Sequence, residues 1–311
     1  MQDVTQGTED GISEMVLQAA RNMRCLRKAS FEEGPFAIEV ITRLESYSRL
    51  VDLTVTGFKP EELVWSPFTT ALKRLRWISP TRHGDQHSLT QTAEFLFKVA
   101  RSTCPALESL DISLRGVPPY AQPLKRPASS VSQYKHINIP DVPILSELRH
   151  FGLKYERAYF AEQLELDRLT LEFVTQHSNT LTSVSLPMKF GTITMETTAF
   201  ILRVCTALPY LTELSLVEAT CNAGGGLGIT GLEFLTDLTS ALASPIREIR
   251  KLSITSTMEY LNADVGNLFA SWQSLEFLRL GDIKYMDDDG MDITSYAPVR
   301  MTIFLTTFTH C

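Results

Sequence analysis

One spacing, apolar-x-x-apolar-x-apolar, recurs along nearly the whole chain and limits what it can fold into. It occurs as Leu50-x-x-Leu53-x-Val55, Leu72-x-x-Leu75-x-Trp77, Leu107-x-x-Leu110-x-Ile112 and Leu148-x-x-Phe151-x-Leu153. It continues as Leu181-x-x-Val184-x-Leu186, Leu211-x-x-Leu214-x-Leu216, Ile249-x-x-Leu252-x-Ile254 and Leu275-x-x-Leu278-x-Leu280. The first positions of these eight copies lie 22, 35, 41, 33, 30, 38 and 26 residues apart, irregular intervals but each long enough for a strand, a helix and two loops. The last two apolar positions alternate as a half-buried strand requires, and the leading one lies under the turn that enters the strand.

Between the copies, apolar residues at three- and four-residue spacing predict helices over 37–47, 90–103, 163–177, 195–207, 232–242 and 264–271. Strand and helix alternating through short connections imply parallel strands and right-handed crossovers, an α/β chain. A doubly wound sheet is buried on both faces and its strands read as continuous apolar runs. Here Thr54, Arg76, Asp111, Gly152, Ser185, Ser215, Ser253 and Arg279 separate the last two apolar positions, so one sheet face is open to solvent. A parallel sheet with helices on one side only predicts a right-handed solenoid. Its neighbouring units complete one another's core, and the whole of 1–311 forms a single repeat domain with 1–48 as its N-terminal repeat or cap region.

Those copies resemble the ribonuclease-inhibitor-like leucine-rich repeats of F-box proteins, particularly the irregular ones of fungi. The resemblance rests on Cys104-Pro105-Ala106-Leu107-Glu108-Ser109-Leu110-Asp111-Ile112. Its parallels are Leu208-Pro209-Tyr210-Leu211-Thr212-Glu213-Leu214-Ser215-Leu216 and Trp272-Gln273-Ser274-Leu275-Glu276-Phe277-Leu278-Arg279-Leu280. It covers roughly residues 20 to 285 by the repeat criterion. The family commonly places Asn or Cys after the strand, but this chain has Phe58, Pro80, Arg115, Glu156, Lys189, Ala219, Thr257 and Ile283 there, so no asparagine ladder forms. The resemblance implies a horseshoe with its sheet on the concave face, its helices on the convex face and about eight repeats. It also implies a non-catalytic protein-binding role, the substrate-recognition region of an F-box type ubiquitin ligase. A free-standing scaffold or regulator, for example of a small GTPase, is the alternative. Pro35-Phe36-Ala37-Ile38-Glu39-Val40-Ile41, with Leu44 and Leu50, echoes an F-box, but its proline-to-glutamate spacing departs from one and the stretch reads as a helix feeding Leu50. A cullin-ligase adaptor is a partner only where an F-box is present.

Composition is compatible with a large core, at 44% hydrophobic and 21% charged residues. The formal charge of −7, without a long run of either sign, argues against a general nucleic-acid surface. Five scattered cysteines, Cys25, Cys104, Cys205, Cys221 and Cys311, form no C-x-x-C pair and suggest neither a disulfide framework nor a zinc site. The polar, acidic start MQDVTQGTEDG and the absence of N-x-Ser/Thr acceptors argue against secretion, and no apolar run is long enough to span a bilayer. A cytoplasmic or nuclear protein is expected.

Prolines at 118, 119, 123, 127, 140 and 143 predict a long loop inserted over 116–143, with Lys125-Arg126-Pro127-Ala128-Ser129-Ser130 read as part of a solvated tether. Region 282–311 ends in the apolar stretch from Met301 to Cys311, which reads either as a packed final strand or helix or as the edge of a truncated array. Gly226-x-Gly228-x-x-Gly231 stands after a strand and before a helix, as a dinucleotide fingerprint does. Its glycines begin several residues late, however, and the next strand leads into Ser256 and Thr257 where a ribose-binding acid belongs. It reads as a flexible loop, with a nucleotide-binding enzyme as a distant third option. Asp287 to Asp292 lacks the first and twelfth ligands of a calcium loop, and His83 with His87 lacks a third ligand, so no cofactor and no metal are expected.

What remains as a candidate site is the open sheet face. Arg74, Arg76, Asp111, His150, Lys154, Glu213, Lys251, Phe277 and Arg279 are expected there as partner-binding residues. Arg74, Arg76, Phe277 and Arg279 are favoured for contacts because Arg and aromatic side chains dominate interfaces once desolvated. No G-x-S-x-G elbow, H-E-x-x-H helix or kinase motif occurs, and no catalytic residue is assigned.

Overall fold

The computed structural model describes residues 18, 25–32, 49–58, 71–79, 89–115, 144–156, 160–189, 193–219, 228–229, 231–242, 248–255, 258–259, 272, 274–284 and 299–304. The helices expected over 37–47 and 264–271, His83 and His87, the insertion at 116–143, Gly226 and the acidic run from Asp287 lie outside the described residues. The chain is α/β and divides into two compact units, one comprising Met1–His87 and Gln91–Leu148, the other Ser88–Thr90 and Arg149–Cys311.

In the first unit, strands β1 (Lys28–Glu32), β2 (Asp52–Thr56), β3 (Arg74–Ile78) and β4 (Ser109–Arg115) pair in chain order, all parallel, with helix α1 (Leu89–Thr103) leading into β4. Three of these strands are the first three copies of the spacing. The other, β1, is a ninth copy that the sequence reading passes over, Leu26-x-x-Ala29-x-Phe31, with alanine where the others carry a large apolar residue. Its backbone leaves no ambiguity. The carbonyl oxygen of Arg27, the second position, accepts the N–H groups of Val51 and Asp52, the second and third positions of the next copy, at 2.8 and 3.0 Å. Val51 takes Lys73 and Arg74 in the same way, and Lys73 takes Glu108 and Ser109. Each step satisfies two donors at the mouth of a strand, where an unpaired N–H would be costly, and so locks the register of one copy to the next.

The apolar positions fill the interior. Leu50, Leu53, Val55, Leu72, Leu75, Trp77, Leu107, Leu110 and Ile112 are all buried, and Ala93, Leu96, Phe97 and Ala100 of α1 are buried with them. Phe58, just beyond β2, is buried as well. Just before it the chain turns at Gly57, with φ of 86°, and the Gly57 N–H donates to the Ile78 carbonyl at 2.9 Å. A Cβ is strained at that φ, so Gly57→Ala is expected to lower stability by about 1 kcal/mol, as read by urea unfolding; an unchanged midpoint contradicts the left-handed turn.

In the second unit the parallel strands are β5 (His150–Glu156), β6 (Ser183–Lys189), β8 (Glu213–Ala219), β10 (Lys251–Ile254) and β12 (Phe277–Lys284), again neighbours in chain order. Helices α2 (Phe160–Gln176), α3 (Met195–Ala207) and α4 (Gly231–Leu242) precede β6, β8 and β10, and α3 packs against both α2 and α4. Four helices are thus described where the spacing predicts them, to within three residues at each end. The two-donor step repeats as Arg149 to Thr182 and Ser183, Thr182 to Thr212 and Glu213, Thr212 to Arg250 and Lys251, and Arg250 to Glu276 and Phe277.

β6 and β8 stay paired from Ser183↔Glu213 to Lys189↔Ala219. Pairing of β5 with β6 stops at Gly152↔Ser185. Ser183 donates its N–H toward the preceding strand, so every second residue of β6 does too, and Pro187 stands where the next but one such donor belongs. Proline has none, and the ladder on that side ends.

Two short ladders complete the unit. β7 (Ile193–Thr194) pairs antiparallel with β9 (Gly228–Ile229), so this end of the glycine-rich segment is held in a ladder, whereas the sequence reading has it as flexible loop; backbone hydrogen bonds hold it in place. β11 (Met258–Glu259) runs parallel to the end of β12, and β13 (Val299–Phe304) runs antiparallel along β12. The apolar stretch that begins at Met301 is, as far as Phe304, part of a strand paired along β12. It covers the backbone groups that β12 would otherwise expose. Among the described residues no helix is long and apolar enough to cross a membrane.

Candidate functional site

Alternation along each strand decides which side chains reach solvent. In β3 the run Arg74, Leu75, Arg76, Trp77 is exposed, buried, exposed, buried, and Lys251 to Ile254 of β10 follows suit with Ser253 partly exposed. The nine residues expected on the open face stand at alternate positions of their strands, between the buried ones. Arg74, His150, Glu213, Lys251 and Phe277 hold third positions of their copies, Arg76, Asp111 and Arg279 fifth positions, and Lys154 a seventh. Arg74, Arg76, Lys251 and Arg279 are exposed, and the other five are half-buried. Arg74, Arg76 and Asp111 belong to the first unit and the remaining six to the second.

Register brings third positions side by side. On the first unit Asp52, which the sequence reading did not single out, lies between Lys28 and Arg74, its Oδ2 3.6 Å from Lys28 Nζ and 3.4 Å from Arg74 Nε. Arg76 and Asp111 face each other in the β3–β4 ladder.

On the second unit four third positions form a hydrogen-bonded strap. His150 Nδ1 is 2.9 Å from Ser183 Oγ, Ser183 Oγ donates to Glu213 Oε2 at 3.4 Å, and Lys251 Nζ donates to Glu213 Oε1 at 2.6 Å. The hydrogen bond to the Glu213 carboxylate, and then its charge, raise the Lys251 amine above its ordinary value. Ser183 was also missed from sequence, although its third position in the sixth strand copy marks it. A histidine, a serine and a glutamate in contact invite comparison with a nucleophilic triad. In a triad the carboxylate orients the imidazole, which takes the serine proton. Here the carboxylate meets the serine, not the imidazole, and is already paired with lysine. The set ties strands together. Exposed pairs of this kind contribute about 1 kcal/mol or less to stability.

Among the described residues, Asp167 on α2 is the acid moved furthest from its ordinary range. It is buried, accepts a hydrogen bond from the Tyr155 hydroxyl of β5, and burial pushes its carboxyl up to about 7 against that bond. Its Oδ1, and Thr170 Oγ1 one turn on, have no hydrogen-bond partner among the described residues. Perturbed acids point to active sites when they line a cleft, whereas Asp167 faces the interior beneath β5.

A shallow groove of about 380 Å³ runs between α2 and α3, lined by Leu171, Thr175, Leu202, Arg203, Thr206 and Ala207. Thr175 and Thr206 turn their hydroxyls back to the Leu171 and Leu202 carbonyls at 2.7 and 2.8 Å, which leaves few convergent polar groups to orient a small molecule. Among the described residues no three His, Cys, Asp or Glu side chains gather as a metal site would require. Among the described residues β1 to β4 follow chain order, as do β5, β6, β8, β10 and β12, with the two-residue β11 out of order beside β12. Neither a protein-family model nor any curated protein matches the chain.

Proposed function

We propose that the copies build a ribonuclease-inhibitor-like leucine-rich-repeat solenoid whose open sheet face binds a protein partner, without chemistry of its own. The observation that carries this reading is the two-donor backbone step, repeated three times in the first unit and four times in the second. It holds consecutive copies in one register and displays the third and fifth residue of each in rows whose neighbours are about 4.8 Å apart, a platform suited to a protein surface or peptide.

Within that reading the chain serves as the substrate-recognition region of an F-box type ubiquitin ligase, as the irregular repeats around Leu107, Leu211 and Leu275 suggest. The adaptor is a partner only where an F-box is present, so co-expression of the adaptor with a longer reading frame that carries both an F-box and these repeats tests it. The two proteins are expected to co-elute in size-exclusion chromatography. A folded chain that elutes without the adaptor overturns the ligase assignment and leaves the free-standing scaffold, with the binding face unaffected.

A further inference from the structure

Charge is not spread evenly over the second unit. From Arg149 to the end the sequence carries 12 Lys and Arg against 19 Asp and Glu, a formal charge of −7, which is that of the whole chain. The open face of β5, β6, β8, β10 and β12 has the opposite sign. At third, fifth and seventh positions it displays Lys154, Lys251 and Arg279 against the single carboxylate of Glu213. That carboxylate is occupied from both sides by Lys251 and Ser183. Arg279 is exposed, and its ladder neighbours Ser253 and Thr302 are neutral.

Between the two outer cations the face is low. Gly152, Ser185, Ser215 and Ser253 stand in register across four strands, so a main chain laid across them meets no bulky side chain. β5 and β12 are four strand spacings apart, about 19 Å, which an extended segment spans in about six residues.

We propose that this face takes an acidic protein segment in extended form, with carboxylates about six residues apart at Lys154 and Arg279 and its backbone over the serine row. The inference rests on the reading of the open face as a binding surface and adds the chemistry of what binds. A cationic face on an acidic body attracts a short acidic segment, while a long polyanion such as RNA meets the repulsion of the surrounding −7.

A random 12-residue peptide display library selected on the full chain separates the possibilities, with enriched peptides resynthesised and their affinity measured by fluorescence anisotropy. Enrichment of Asp and Glu at about six-residue separation is expected. Binding of these peptides should weaken at least about tenfold in R279E and in K154E, weaken further with salt, and be unchanged in R203E on α3. Circular dichroism melts establish that each variant is folded. Enrichment of basic or apolar peptides whose binding is lost in S215W overturns the acidic chemistry but keeps the face. Peptides that bind S215W as well as the wild type overturn the face itself. A fluorescein-labelled 12-nucleotide single-stranded RNA that binds more tightly than the acidic peptides also overturns the proposal.

Discussion

Phe173→Ala is expected to lower the unfolding free energy by about 3–5 kcal/mol, the range for deleting a fully packed aromatic ring. Phe173 is buried on the inner face of α2, with its ring centroid 5.1 Å from Phe151 of β5 and 4.4 Å from His177. Truncation removes apolar burial, leaves a cavity that neighbours on a helix and a strand cannot both collapse into, and ends two aromatic contacts. The buried His177 still donates from Nδ1 to the Phe173 carbonyl at 2.7 Å, a backbone acceptor that the substitution leaves in place, so the loss is one of packing. Phe173→Leu should therefore recover more than half of it. Urea unfolding followed by circular dichroism measures both variants. A cost below about 1 kcal/mol for the alanine variant contradicts the described packing of α2 on β5.

The second large effect concerns pH. Asp167 has its folded-state carboxyl raised to about 7 from an ordinary 3.8, chiefly by burial, with the Tyr155 hydrogen bond opposing. Below pH about 4 folded and unfolded chains both hold this proton, and Asp167 adds no pH dependence. Between 4 and 7 the unfolded chain releases the proton while the folded chain keeps it, so the contribution to stability falls as pH rises. Above 7 both are ionised and the loss is complete, amounting to about 4 kcal/mol over the interval from 3.8 to about 7. An asparagine side chain in its place cannot ionise and can still accept from Tyr155. Asp167→Asn is expected to gain on the wild type steadily from pH 4 to 7 and to be the more stable protein at pH 8, by up to the same few kcal/mol. Unfolding of both proteins at each pH measures the difference, in which other titrating groups cancel. A difference that stays constant with pH would show that Asp167 is ionised in the folded protein throughout the range.

Much of this architecture can be read from side-chain size and spacing. The eight copies and the four described helices between them follow from apolar residues recurring at fixed intervals, because a strand that buries one face must alternate and a helix that buries one stripe must repeat every three to four residues. The outward rows follow as well. Once Glu213 and Lys251 are recognised as third positions of successive copies, their proximity across β8 and β10 is implied, although they lie 38 residues apart.

Other features left no such trace. β1 is a copy with alanine at its key position, too small to signal burial, and is identified by the Arg27 carbonyl that takes the Val51 and Asp52 donors. The ladder between Ile193–Thr194 and Gly228–Ile229 joins segments with no shared pattern, since two residues are too few to establish a period. Burial is what raises the Asp167 carboxyl, and burial depends on what packs over a residue, not on its neighbours in the chain. Periodicity in the amino-acid sequence by itself determined which faces are buried, and therefore the copies, the strands and the open face. Tertiary structure alone decided which polar groups meet: Ser183 joining His150 to Glu213, Asp52 held between Lys28 and Arg74, and Tyr155 against Asp167. Hydrogen bonds require positions good to a few tenths of an ångström, whereas hydrophobic burial requires only the right side.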